Sequence, residues 1–206
     1  MKPQSFDYAA PETLDGALDL LARVGDDAAI IAGGQSLVPI LNLRLARPEW
    51  IIDLRHVTEL TGFDISEKGL RAGAMANALN VEEHPDIHLV PGLHEALCQV
   101  AYPQIRSRTT IGGSVAHADP AAELPALLVA LGGDIVLQSM ARGERTVSAE
   151  AFFRGPMMTV REPDELLTSV LFPAHPGPVA VLEVAKRPND RAIVGVVVGY
   201  AMVDGV

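Results

Sequence analysis

The stretches Ala32-Gly33-Gly34-Gln35-Ser36 and Thr110-Ile111-Gly112-Gly113-Ser114-Val115-Ala116-His117 decide how this chain is read. Each glycine pair follows or interrupts an apolar run and is followed by a small hydroxyl residue. A backbone of that kind can press its N–H groups against a phosphate, and two such turns could clamp one pyrophosphate. Neither stretch is a nucleotide fingerprint of the common kinds. The chain has no Gly-x-Gly-x-x-Gly and no Gly-Lys-Ser/Thr pair, so the Rossmann and P-loop readings lose their main support. Taken alone, the first stretch reads as a tight strand-to-helix turn. The second says more, because Thr110 and Ser114 add hydroxyls to unobstructed backbone donors.

Working outward from the first pair, Thr13 is placed to cap a helix whose apolar residues Leu14, Ala17, Leu18, Leu21 and Ala22 recur at helical spacing, with Gly25 as its stop. Ala28 to Ala32 reads as a short buried strand, Leu37 to Leu45 as partly helical, and Trp50 to Leu54 as a second strand. Strand, crossover and strand suggest a small parallel α/β unit ending near His56. Gly62 to Ile65 and Leu70 to Ala74 then resemble an antiparallel hairpin, and a helix follows from about Gly92 to Ala101. Beyond the second pair, Pro120 and Pro125 fall in the first turns of a helix expected to end at Gly132-Gly133. Strands are expected at Asp134 to Gln138, Arg145 to Val147, Leu166 to Phe172 and Val179 to Ala185. The run Ile193 to Val203 reads as a buried strand that needs neighbours on both sides. The expected reading is therefore a chain that stops in mid-domain; an edge strand covered by a partner subunit is the alternative.

With 206 residues, 49% of them hydrophobic, the chain can bury a sizeable core. Its 26 acidic and 16 basic residues give a net charge of −10 without a basic cluster, which argues against nucleic acid and against an acidic membrane surface. The opening Met1-Lys2-Pro3-Gln4-Ser5-Phe6-Asp7 lacks a basic stretch leading into an apolar core, and no apolar run reaches bilayer length. The expected location is cytoplasmic, without membrane insertion. Cys98 is the one cysteine; by itself it cannot hold an iron–sulfur cluster, so any cluster must sit on another chain.

Few other residues carry chemistry. Arg106 and Arg108 either neutralise a diphosphate or serve as exposed ion-pair partners, and the second reading is favoured in an acidic chain. His84, His88 and His94 fall close together, but Pro85 and Pro91 interrupt the helix that an i, i+4 metal pair requires. Cys98 reads as core filling beside Leu93, Leu97 and Val100. There is no Gly-x-Ser-x-Gly elbow and no histidine next to a nucleophile, so no catalytic residue and no metal ligand is assigned. Glu123 has two readings: acceptor for ribose hydroxyls, or complement to a helix dipole.

At this point the whole chain, residues 1 to 206, resembles the FAD-binding subunit of the molybdenum hydroxylases, the group that includes the medium subunit of carbon monoxide dehydrogenase and the flavin part of xanthine dehydrogenase. The stretches that carry the resemblance are Phe6-Asp7-Tyr8 with Pro11-Glu12-Thr13-Leu14, Ala32 to Pro39, Leu43 to Pro48, Pro103 to Arg108, Thr110 to Ser114, His117 to Glu123 and Asp164 to Leu167. The resemblance implies an α+β, two-subdomain FAD-binding fold: a small N-terminal α/β unit over residues 1–56, a larger mixed α+β subdomain over 57–175, and the incomplete start of a C-terminal subdomain over 176–206. It implies a noncovalent FAD with its pyrophosphate held by Ala32, Gly33, Gly34, Gln35, Ser36 and Leu37 on one side and Thr110, Ile111, Gly112, Gly113 and Ser114 on the other. His117 and Glu123 would lie toward ribose and adenine, and Leu167 against the flavin ring. The implied partners are an iron–sulfur small subunit with 2Fe–2S clusters and a molybdopterin large subunit. Electrons would pass from the clusters to FAD and on to NAD, a quinone or oxygen, and the protein's share would be to orient and tune the cofactor. The alternatives are a cofactor-free structural subunit and a stand-alone flavin oxidase domain. Three positions depart from the family's pattern. Glu123 stands where members often have Asp, no lysine occurs at Leu182 or Glu183, with Lys186 as a substitute, and Arg191 stands where many relatives carry an aromatic.

Overall fold

The computed structural model describes residues 2–201. The first sheet is built from β1 (Asp7–Ala9), β2 (Ala28–Ile31) and β3 (Trp50–Asp53), with α1 (Leu14–Val24) and α2 (Leu37–Asn42) as crossovers. Its order is β1-β3-β2 and both pairings are parallel. The Thr13 hydroxyl accepts the Gly16 N–H at 3.1 Å and so starts α1, which buries Ala17, Leu18 and Leu21 against Ile52, Leu54, Val57 and Leu60. Central β3 ends in Asp53, which is buried. Burial alone would raise its pKa, but hydrogen bonds from Arg55 and from the Tyr8 hydroxyl at 2.9 Å outweigh that and hold it below the ordinary value. Tyr8 thus ties β1 to β3, a strand that sequence periodicity does not reveal.

The second sheet follows in the chain: β4 (Phe63–Ser66), β5 (Gly69–Gly73), then α3 (Ala78–Glu82), α4 (Leu93–Gln99), α5 (Pro103–Arg106), α6 (Ile111–His117) and α7 (Glu123–Ala130). After these come β6 (Asp134–Ser139), β7 (Gly143–Ser148), α8 (Ala149–Phe152), the short pair β8 (Phe153–Gly155) and β9 (Met158–Thr159), and β10 (Leu166–Pro173). The order β4-β5-β10-β6-β7 is antiparallel throughout, with β10 central. The larger core lies between this sheet and the helices, from Leu70, Val170 and Phe172 to Leu93, Leu97, Ile111, Leu124 and Leu127. Leu166, at the start of β10, belongs instead to the core under the first sheet, so one strand feeds both. Among the described residues no helix is long and apolar enough to cross a membrane.

The expected elements shift at several points. The second glycine pair lies inside helix α6, whose N-cap is Thr110, because the short side chains at 111–117 pack helically once that hydroxyl takes the Gly113 N–H at 3.1 Å. Pro120 precedes α7 rather than entering it, since Asp119 Oδ1 accepts the Ala121 N–H and holds a turn there. The helix ends at Ala130. The last described strand is β12 (Val194–Gly199), paired among the described residues with β11 (Val179–Val184). It is not buried: Val194 is 60% and Val198 53% exposed, because among the described residues no second strand pairs with it. Met202 and Val203, placed in that strand by the sequence reading, lie outside the described residues.

Arg106 is not an exposed ion-pair partner. It is buried, its Nη2 donates to Glu82 Oε1 at 2.9 Å, and its Nη1 caps the carbonyls of Val100 and Ala101. Arg108 is exposed. Cys98 is only half-buried, with Sγ 3.7 Å from Glu82 Oε1. Removing one partner of a buried ion pair strands the other, which costs about 3–5 kcal/mol. Glu82→Ala is therefore expected to lower the unfolding free energy by about that amount in a urea titration; a loss below about 1 kcal/mol would mean the pair is effectively solvated.

Candidate functional site

The two glycine stretches meet. A Cβ added at Gly33 would stand 2.0 Å from the Arg108 carbonyl oxygen, and one at Gly113 only 3.4 Å from the Ala32 Cβ. Backbone-to-backbone contact at Gly33 thus seats the turn after β2 on the segment leading into α6. Gly34 follows with φ +75°, a conformation that L side chains rarely adopt. This geometry turns the chain sharply into α2 and leaves a run of donors behind. Among the described residues, the backbone N–H groups of Gly33, Gly34, Gln35, Ser36 and Leu37 have no acceptor within the protein, and the next one, Val38, donates to Gly34 at 3.1 Å. The Gln35 side chain braces the turn from Nε2 to the Gly33 carbonyl at 3.2 Å.

The second stretch is different. The N–H groups of Ile111, Gly112, Gly113 and Ser114 are taken by Ala76 O, Ala74 O, the Thr110 hydroxyl and Thr110 O. An added Cβ at Gly112 would lie 2.5 Å from the Ala74 Cα, so glycine serves close packing there. The expected backbone cradle at 110–114 is therefore occupied by the protein itself. What this stretch offers a ligand is the Ser114 hydroxyl and a surface without bulk.

Both stretches line a cavity of about 610 Å³ between the two sheets, within the size range of cofactor and drug-sized ligand sites. Ala32, Gly33, Gly34, Gln35, Ser36, Leu37, Thr110, Gly112, Gly113, Ser114, His117, Glu123 and Leu167 all border it. Ile111 and Lys186 do not. The Ile111 side chain is wholly buried in the core beneath α6, and Lys186 is exposed on the loop between β11 and β12, which turns Asn189, Asp190 and Arg191 to the cavity instead. Sequence reasoning did not assign Asp119 or Arg161, which also line the wall. Asp119 sits within the His117-to-Glu123 stretch and was legible as part of it; Arg161 carries no motif.

One end of the cavity gathers titratable groups. Asp119 Oδ2 pairs with Arg191 at 3.1 Å. Burial lowers the pKa of His117; the Asp119 carboxylate opposes that shift and Arg191 reinforces it. Burial also raises Glu123, with the Glu183 and Asp119 carboxylates adding to the effect, to about 7. The rise is a consequence of burial at the first residue of α7, which faces the cavity. His84 meets Phe63 edge-on, His88 bonds to the Pro85 carbonyl and His94 approaches Cys98, so these histidines go separate ways. Among the described residues no group of three His, Cys, Asp or Glu side chains is arranged for a metal.

A run of free N–H groups on the wall of a cavity between the parallel and the five-stranded sheet has the chemistry to receive a phosphorylated, elongated ligand. Comparison with known proteins makes this specific. Residues 4–175 match the family described as the FAD binding domain in molybdopterin dehydrogenase, and the chain belongs to that family of oxidoreductase subunits. It is 40% identical to the caffeine dehydrogenase subunit beta of Pseudomonas sp. (strain CBB1), over 96% of this chain and 68% of that one. The carbon monoxide dehydrogenase medium chain of Hydrogenophaga pseudoflava is 39% identical, over 84% of this chain and 61% of that one. Among solved structures, quinoline 2-oxidoreductase from Pseudomonas putida 86 superposes with a TM-score of 0.89 at 41% identity, covering 95% of this chain and 68% of that one. A Cu,Mo-CO dehydrogenase chain gives 0.91 at 35% identity, covering 100% of this chain and 72% of that one.

The raised Glu123 pKa has a consequence for stability. The unfolded carboxyl ionises near 4.5 and the folded one near 7, so folding favours the protonated form. The favourable contribution is present below pH 4.5 and is lost as pH rises through 7, a change of up to roughly 3 kcal/mol. Glu123→Gln is expected to flatten the fall in ligand-free stability between pH 5 and 8 measured by denaturant titration; an unchanged slope would show that Glu123 is solvated.

Proposed function

We propose that the cavity holds FAD noncovalently and that the chain passes electrons through it within a molybdenum hydroxylase complex. The observation that carries this reading is the run of free N–H groups at 33–37 on the cavity wall. A diphosphate placed there would satisfy donors that are otherwise left without protein acceptors, and hydrogen bonds to a charged acceptor are the strong ones. The surrounding residues fit the rest of a dinucleotide. Leu54, Leu166 and Leu167 offer apolar walls for a flat ring, while Ser114, His117 and Glu123 offer polar atoms to sugar hydroxyls. Bound FAD would supply the exchange of one or two electrons; the chain's own residues bind it and orient it.

Electrons would arrive from 2Fe–2S clusters on a small subunit, fed by a molybdopterin large subunit, and would leave to NAD, a quinone or oxygen. Two things support this: the single cysteine, which cannot hold a cluster by itself, and relatives whose names are those of a medium chain and a subunit beta. Residues 1–56, 57–175 and 176–206 are taken as successive subdomains, a division supported by the separate pairing of the parallel sheet, the antiparallel sheet and the β11–β12 ribbon.

The test is direct. The protein is expected to bind FAD on titration, seen as flavin fluorescence quenching, and to release it intact in acid. Gly33→Ala is expected to raise the FAD Kd on the order of tenfold or more with far-UV dichroism retained, since each lost charge-assisted bond is worth about 1.5–3 kcal/mol. A wild-type protein that takes up no FAD would favour a cofactor-free structural subunit.

A further inference from the structure

The hairpin of β11 and β12 is held firmly along its body and weakly at its tip. Along the body, β11 packs on α4 and β12 on α7, Val181 is buried in the larger core, and Gln99 Nε2 donates to the Val181 carbonyl at 3.3 Å. The Ile193 N–H closes the hairpin on the Val184 carbonyl at 2.8 Å. Beyond that bond, residues 185–192 make one backbone bond of their own, from the Asp190 N–H to the Arg187 carbonyl at 3.2 Å. Asn189 takes φ +64°, a conformation that asparagine tolerates, and turns the tip back on itself. Asn189, Asp190 and Arg191 thereby reach the wall of the large cavity. Asp190 and Arg191 are also exposed, and exposed residues on a cavity wall mark where it opens.

Among the described residues, two polar ties join this tip to the rest of the chain. The Tyr102 hydroxyl donates to the Pro188 carbonyl at 3.4 Å, and Arg191 Nη1 pairs with Asp119 Oδ2 at 3.1 Å. The first anchor follows Val100 and Ala101 and the second precedes Ala121 to Glu123, all of which line the cavity. The tip thus runs from one segment of the wall to another across the opening. Neither tie is strong. The hydrogen bond is long, the Arg191 side chain is 72% exposed, and solvent-facing pairs of that kind hold weakly. Beneath the hairpin a second cavity of about 280 Å³ lies between the start of α7 and β12, so the tip has space to move while the body stays packed.

We propose that residues 186–191 form a strap over the mouth of the cavity, latched by Arg191 on Asp119 and by Tyr102 on Pro188, which lifts to let the ligand pass and so sets how fast it exchanges. That the ligand is FAD rests on the reading above; the strap itself rests on the two ties. A latch of this kind acts on passage and not on the bound state. Opening it raises the association and dissociation rates together, whereas loss of a group that touches the ligand raises dissociation alone.

The test follows FAD entry and release by stopped-flow flavin fluorescence and, on the ligand-free protein, the rate of tryptic cleavage after Lys186. The variants are Arg191→Gln, Tyr102→Phe and Asp119→Asn, the last keeping the Oδ1 acceptor for the Ala121 N–H while losing the charge. Each is expected to raise both FAD rates and the cleavage rate about two- to fivefold, the weight of one exposed tie. The double variant of Asp119→Asn with Arg191→Gln should go no further than either alone, because both break the same latch. A rise in dissociation alone, additive effects of the Asp119 and Arg191 changes, or FAD and cleavage rates equal to those of the wild type would each overturn the strap. If the wild-type protein takes up no FAD, the cofactor reading fails, while the cleavage comparison, which needs no ligand, still decides the strap.

Discussion

The contact between Gly33 and the Arg108 carbonyl is the constraint on which the rest of the site depends. Only a residue without a Cβ lets the turn after β2 lie on the segment that leads into α6. That contact seats the turn after β2 on the segment leading into α6 at the edge of the cavity, while Leu166 joins the two layers at its base. Because the turn is braced from outside, by Gln35 and by the 108–109 backbone, its own N–H groups need not bond inward. They remain available on the cavity wall.

Two apparently equivalent glycine pairs thus do different work. The first exposes donors, while the second uses its own donors to start a helix and its lack of bulk to let that helix approach Ala74. Electrostatics divide the cavity in a similar way. Net charge is strongly negative for the chain as a whole, yet the wall combines a neutral N–H cradle, the Arg161 guanidinium held by backbone carbonyls and a carboxyl at Glu123 whose pKa is about 7. An anionic ligand can enter such a site despite the acidic exterior, because short-range donors outweigh screened surface charge.

Much of this was legible in the sequence. The helix capped by Thr13, the hairpin at 62–74, the strands of the larger sheet and both glycine stretches follow from periodicity and turn chemistry, and the family follows from the stretches around them. What was not legible depended on long-range partners. Strand β1 is three residues long and is fixed by Tyr8 reaching Asp53, a contact across 45 residues. Arg106 looked like a surface charge because Glu82 lies 24 residues away in sequence. Helix α6 was hidden because glycines disfavour helices locally, and only the Thr110 cap and packing on Ala74 override that. Arg161 had no signal at all: its place on the wall is set by the backbone carbonyls of Glu162, Pro163 and Glu165.

The most direct test of the account is a backbone amide NMR titration with FAD, following Gly33 to Leu37 against Ile111 to Ser114 in the same spectra. The account predicts large downfield shifts and slowed hydrogen exchange at 33–37 on binding, with small changes at 111–114, whose donors already have partners. The opposite pattern, with the changes concentrated at 111–114 and the 33–37 amides unmoved, would contradict it.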